Sequence, residues 1–191
     1  MKPSGTRNTA IVGTVLFLIL VPGSLAVYVP RLITGWTTAS NISGTPHALP
    51  PSLSTRPTLL SLRTLGAVCI AAGIPILLDC FACFALRGLG TPAPIAPPRH
   101  LVVTHLYRYT RNPMYLAVSL LVFGQALLFL NLGLLEYGLI VCAGFIAFVH
   151  FYEEPNLRRK FGNEYEEYCR QVPRWIPRLR PYSLSRTTGS N

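Results

Sequence analysis

The sequence predicts an all-α protein, a polytopic transmembrane helical bundle of four spans with a tight helical hairpin and a C-terminal amphipathic cytoplasmic helix. Three observations predict it. Of 191 residues, 50% are hydrophobic and 13% charged, against about 25% charged in soluble domains. Four long stretches carry almost no charge. The basic residues, Lys+Arg 17 against Asp+Glu 7 for a net charge of +10, fall unevenly among the connecting loops. Such hydrophobicity excludes intrinsic disorder. It also argues against nucleic acid as a partner, because a basic groove for nucleic acid is carried on a polar domain. The expected partner is the lipid bilayer.

The spans come in order. Ala10–Val29 runs 20 residues without a charge, and Leu65–Leu86 runs 22 with only Asp79. Met114–Leu132 is charge-free over 19 residues, and Gly133–Tyr152 comes next with Glu136 near its start. A hydrocarbon core of about 30 Å takes roughly 20 helical residues, so each stretch is long enough to cross. The last two, joined around Asn131-Leu132-Gly133, must form an antiparallel hairpin. Lys2 and Arg7 before an apolar run ending near Ser24-Leu25-Ala26 also fit a signal peptide. Apolar character continuing through Val29 favours a retained helix, and either reading puts residue 30 across the membrane.

Orientation comes from the basic residues. Lys2 and Arg7 precede the first span; Arg87, Arg99, Arg108 and Arg111 lie between the second and third; eight more come after the fourth. Only Arg31, Arg56 and Arg63 belong to the first loop, so fourteen of seventeen face the cytoplasm, with both termini inside.

The loops differ in kind. Residues 1–62 comprise the first span and an irregular outer loop from 30 to 62, rich in Ser, Thr and Pro. That loop holds His47 and an Asn41-Ile42-Ser43 sequon, neither of which carries weight. Residues 63–182 form the membrane core, and 183–191 a polar, disordered tail. The cytoplasmic stretch from Gly88 to Pro98 is stiffened by four prolines, which favour extended backbone. Pro113 suits the first turn of the third helix, where its missing N–H costs nothing. Beyond Glu153-Glu154, Pro155 begins a new helix, with Leu157, Phe161, Tyr165 and Tyr168 as one apolar stripe. Trp175 between Arg174 and Arg178 reads as an interfacial anchor.

Two blocks carry chemistry. Leu101-Val102-Val103-Thr104-His105-Leu106-Tyr107-Arg108-Tyr109-Thr110-Arg111-Asn112-Pro113-Met114-Tyr115 is the first. Glu153-Glu154-Pro155-Asn156-Leu157-Arg158-Arg159-Lys160-Phe161-Gly162-Asn163-Glu164-Tyr165, continuing to Tyr168 and Val172-Pro173, is the second. In order, and separated by a two-helix hairpin, they resemble the integral-membrane methyltransferases that include isoprenylcysteine carboxyl methyltransferases and phosphatidylethanolamine N-methyltransferases. Gly90-Thr91-Pro92-Ala93-Pro94 is similar to bacterial members. The resemblance covers roughly residues 65–180.

The resemblance implies S-adenosylmethionine as methyl donor, held at the cytoplasmic mouth, and a lipophilic or amphiphilic acceptor arriving from the bilayer. By position, cofactor contacts fall on Arg99, His100, Leu101, Val102, Tyr107, Asn112, Pro113, Met114, Tyr115 and Glu153. Catalytic roles fall on Glu153, Glu154 and Tyr115. The residue types suit the ligand. A carboxylate accepts from ammonium or hydroxyls in charge-assisted bonds, and tyrosine faces attract a sulfonium. Arg99 or Arg111 is placed to hold the donor's carboxylate. If the acceptor is an amine, Glu153, Glu154 or His105 is placed to receive its proton. No G-x-G-x-x-G occurs, so the soluble dinucleotide-type site is not expected.

Two departures from the pattern matter. His105 stands where the family often has Gly, and Val149 stands where isoprenylcysteine enzymes carry an Arg assigned to substrate. The second departure weakens carboxyl methylation against lipid-amine methylation. Asp79, inside a span, is a candidate for balancing a substrate ammonium or pairing with Arg87; Asp79, His105 and Arg111 are the substrate candidates. Cys80-x-x-Cys83 lies in an apolar helix, and His150 near Glu153 is isolated, so no metal site is expected. Two other classes stay open: a non-catalytic scaffold of the same fold, and a relative of the longer nicotinamide-dependent sterol reductases.

Overall fold

The computed structural model describes residues 4–36, 56–87, 101 and 103–182, and among them every regular element is helical. In order these are α1 (Ser4–Leu20), a π-turn (Ser24–Tyr28), α2 (Val29–Thr34), α3 (Arg56–Arg87) and a 3-10 turn (His105–Arg108). Then come α4 (Pro113–Phe129), α5 (Leu132–Phe148), a second π-turn (Val149–Glu153), α6 (Glu154–Phe161) and α7 (Asn163–Gln171). Three continuous helices are long and apolar enough to cross a membrane: Val12–Thr34, Arg56–Cys83 and Leu132–Phe161. The expected third span is the shorter apolar helix α4. The sequon, His47, the proline-rich stretch and the tail lie outside the described residues.

The first helix runs further than its charge-free stretch, through a π-turn in which Val29 N–H returns to Ser24 O. Pro30 brings no N–H to Leu25 O or Ala26 O, its partners in π and α register. Two polar side chains meet this need from the hairpin. Tyr137 donates its O–H to Leu25 O at 3.0 Å, and Gln125 Nε2 donates to Ala26 O at 2.7 Å. In apolar surroundings an unmet carbonyl is costly, so these two bonds tie the first helix to α4 and α5.

The irregular outer loop expected through residue 62 ends earlier, because α3 begins at Arg56. The polar residues there are satisfied locally: Ser61 and Thr64 hydroxyls donate to Pro57 O and Leu60 O at 2.9 Å each. Pro57 occupies the first turn, where no N–H is required.

α3 packs along α4 through a seam of small residues, as bundles in lipid do when apolar side chains give helices no reason to leave the bilayer. A Cβ on Gly66 would lie 2.5 Å from Gly124 O and 2.7 Å from Leu128 N, both backbone atoms that cannot swing aside. Gly66→Ala is therefore expected to push the helices apart at a cost of about 1–3 kcal/mol. Thermal unfolding in detergent reads this, and an unchanged midpoint would mean that the seam is not close-packed. Ala26, Leu77, Phe81, Ala117, Val118, Leu121 and Val122 form the core where the first helix, α3 and α4 meet. The opposite faces, with Ile19, Leu20, Leu60, Leu78, Leu139, Ile140 and Phe151, are exposed apolar surface suited to lipid.

The hairpin expected around Asn131-Leu132-Gly133 is present. Leu130 turns the chain in left-handed conformation (φ 55°), and Asn131 accepts from Leu134 N–H at 3.0 Å to cap α5. The single C-terminal amphipathic helix is corrected to two, α6 and α7, broken at Gly162 (φ 51°). Its stripe is still one surface: Leu157, Phe161, Tyr165 and Tyr168 pack with Leu101, Val103 and Val172.

Candidate functional site

Helix α4 starts at Pro113, so Tyr115 lies in its first turn, facing the end of the hairpin's second helix. There the π-turn Val149–Glu153 inserts one extra residue, which rotates the downstream side chains by about a quarter-turn. Glu153 reaches α4 as a result. Tyr115 donates its O–H to Glu153 Oε2 at 2.7 Å, and its ring lies against Phe145 at 4.8 Å. Among the described residues Glu153 has no Lys, Arg or His partner. Its carboxyl group is half-buried, with a neutral donor and, among the described residues, no counter-charge.

The 3-10 turn brings a second tyrosine to this place. His105 holds a left-handed backbone (φ 51°), the conformation that glycine adopts without penalty and that costs other residues about 1 kcal/mol or more. The turn is stapled to α3, where Tyr107 bonds the Cys80 thiol and packs with Cys83 and Met114. Thr104 Oγ1 and Cys83 Sγ share a hydrogen bond of 3.0 Å. Burial, then the fields of Cys80 and Glu153, push the Tyr107 hydroxyl well above the usual tyrosine range, so it stays a protonated donor. Tyr168 on α7 donates to Tyr107 O at 2.6 Å and fixes the turn from the other side.

Glu154 faces a different set. Arg174 holds it with two parallel bonds of 2.8 Å, and Arg111 approaches at 3.0 Å. This fork geometry is the strong form of a carboxylate–guanidinium pair. Arg111 also donates to Cys169 Sγ at 2.7 Å. Around the triad, residues 173–182 run as a strap along 108–112: Arg111 N–H donates to Pro173 O, Arg178 N–H to Tyr109 O and Tyr182 N–H to Arg108 O, each at 3.0 Å. Thr110 Oγ1 and Asn112 Nδ2 both donate to Arg174 O at 3.1 Å.

The structure thus brings together Tyr107, Met114, Tyr115 and Glu153. Asn112 and Pro113 are buried beneath them and shape the start of α4. Leu101 sits on the tyrosine cluster of α7. Arg99, His100 and Val102 lie outside the described residues. Arg111 is engaged by Glu154 and Cys169. Asp79 meets His105, Nδ1 to Oδ1 3.1 Å, and the side chain of Arg87 lies outside the described residues. His105 is close to Tyr107 in the chain, and Asp79 lies on α3, one residue from Cys80. His150 is exposed, edge-on to Phe151, and no His/Cys/Asp/Glu group suited to a metal occurs among the described residues. Arg174 is a site builder that the sequence does not announce, and the bond of Tyr168 to the 3-10 turn goes beyond its place in the apolar stripe. Arg174 lies 20 residues from Glu154 in a segment with no periodicity, so only folding shows the pair.

The donor set suits a sulfonium nucleoside. A carboxylate with no cation among the described residues, beside two tyrosines, offers an acceptor for ammonium or ribose hydroxyls and aromatic faces for positive charge.

A family model described as phospholipid methyltransferase matches residues 62–164. The match spans α3 through the start of α7 and includes both the Tyr115–Glu153 pair and the Tyr107 turn. No curated protein and no solved structure matches the chain.

Proposed function

The chain belongs to the phospholipid methyltransferase family, and on that premise we propose that it is an integral-membrane S-adenosylmethionine-dependent methyltransferase acting on an amphiphilic acceptor. The observation that carries this reading is the Glu153 carboxylate, bonded to Tyr115 and lacking a counter-cation among the described residues. S-adenosylmethionine, when bound, supplies an activated methyl on a sulfonium and a neutral thioether as leaving group. Glu153 and Tyr115 would hold it, with Tyr107 and Met114 as walls, Asn112 and Pro113 as the buried floor and Leu101 at the side. Arg99, His100 and Val102 remain candidates for the same role.

The chain's own work is binding, alignment and exclusion of water, the terms that dominate a displacement needing no acid on the leaving group. The Glu154–Arg111–Arg174 lock and the strap hold the 108–112 segment against α7. They support the site rather than enter it. The proposed topology has four spans, α4 being the short one, with the site and both termini cytoplasmic. The charge-poor turn at residue 131 and fourteen cytoplasmic Lys and Arg support it. The proposed division is 1–62, 63–182 and 183–191.

Carboxyl methylation of a prenylcysteine-like acceptor and amine methylation of a phospholipid are the two readings within the enzyme class. Val149, wholly buried, offers no cation to a carboxylate and favours the amine. Membranes carrying the protein, incubated with methyl-labelled donor, are expected to place label in phospholipid headgroups rather than base-labile esters. A complete lack of labelled lipid, together with no heat on titrating S-adenosylhomocysteine, would instead fit a non-catalytic scaffold.

A further inference from the structure

We propose that Asp79 and His105 form a general-base dyad that takes a proton from the ammonium of an amine-bearing amphiphile. This names the acceptor class and rests on the methyltransferase reading above. The pair is close, 3.1 Å, and reachable, with 48% of the His105 and 35% of the Asp79 side chain exposed. An acid within a spanning helix is costly and marks function by default. Its partner among the described residues is an imidazole, the type of side chain suited to exchanging a proton near neutral pH. Asp79 against Nδ1 orients the ring, and in the tautomer that carries its proton on Nδ1 the basic nitrogen is Nε2.

Placement ties the dyad to the methyl-transfer site. His105 and Tyr107 belong to one 3-10 turn. Asp79 and Cys80 are neighbours on α3, Cys80 bonds Tyr107, and Tyr107 lies in the field of Glu153. The imidazole is carried on a left-handed backbone, a strained position for any side chain and one where glycine would rest at ease. Among the described residues the titratable and charged groups on the same elements include Cys80 and Cys83 on α3, Tyr107 and Arg108 on the turn, and Glu153 beyond Tyr107.

The step balances. The acceptor ammonium gives one proton to His105 Nε2, and Asp79 stabilises the imidazolium. The freed nitrogen lone pair forms the N–C bond as the sulfonium S–C bond breaks, its electron pair staying on sulfur as a neutral thioether. His105 then releases its proton to water.

The test uses the full chain in nanodiscs containing phosphatidylethanolamine, with His105→Gly and Asp79→Asn. His105→Gly removes the imidazole while easing the backbone, so the fold is retained. Amine methylation at pH 7 is expected to fall about 10²- to 10⁴-fold, the usual reach of a general base. Affinity for S-adenosylhomocysteine should be unchanged, added imidazole should restore part of the rate, and the deficit should shrink at high pH as solvent deprotonates the amine. Without donor, Asp79→Asn should bind a short-chain phosphatidylethanolamine about tenfold more weakly. Unchanged methylation by His105→Gly, or a loss that neither imidazole nor high pH relieves, overturns the dyad alone. Wild-type protein that binds no S-adenosylhomocysteine overturns the methyltransferase reading and the dyad with it.

Discussion

Glu153→Ala is expected to weaken S-adenosylhomocysteine binding by about 10- to 100-fold, the worth of a charge-assisted hydrogen bond lost from a half-buried site. Tyr115→Ala should do the same, because it removes both the Glu153 partner and the ring that packs on Phe145. Tyr115→Phe keeps the ring and the carboxylate and should lose only about fivefold, since it removes just the hydroxyl that orients Glu153. S-adenosylmethionine, with its extra positive charge, should suffer more from Glu153→Ala than the homocysteine form does. Calorimetry on purified variants reads each value, with membrane insertion checked alongside. Normal affinity in both alanine variants would reject the assignment of this pair to the donor.

The adjacent acid should behave in another way. Glu154→Ala leaves Arg111 and Arg174 facing each other in a site where the carboxylate side chain is only 6% exposed. Removing one partner of a buried ion pair costs about 3–5 kcal/mol, because the remaining charge is uncompensated. Arg174 is one-third exposed, which places the expected loss at the lower end of that range. The variant should unfold at lower temperature in detergent, and protease should cut the released strap at residues 173–182. Donor affinity should fall less than in Glu153→Ala. If Glu154→Ala keeps its thermal midpoint, the triad is not the lock between the 108–112 segment and the C-terminal strap.

The clean separation of two neighbouring glutamates comes from the π-turn before them. In an uninterrupted α-helix, residues 153 and 154 would also point about 100° apart, but the extra residue decides which of them meets Tyr115. Nothing in Val149-His150-Phe151-Tyr152 announces that insertion. The same holds for the Ser24–Tyr28 turn. Pro30 signals missing donors, yet only the packed bundle shows that Gln125 and Tyr137 supply them.

Much else is readable in the chain. Charge-free runs mark three of the helices to within a few residues, and the two motif blocks point to the right family. Apolar periodicity marks the stripe from Leu157 to Tyr168, although it carries no sign of the break at Gly162. His105 stands out as a departure from the glycine of the resembled motif, and its left-handed φ is the conformation in which glycine carries no penalty. Asp79 stands out by its cost in lipid, but nothing along the helix announces His105 as a partner. That partner arrives from a turn 26 residues away.

By itself, the sequence determined the all-helical, bilayer-facing character of this protein, its hairpin and its family. These depend on local quantities: the length of apolar runs, turn residues and short motifs. Only the tertiary structure decided that Glu153 meets Tyr115 while Glu154 meets two arginines, and that Asp79 meets His105. Those choices depend on helix phase and on contacts between distant segments, where one inserted residue turns a side chain from one neighbour to another.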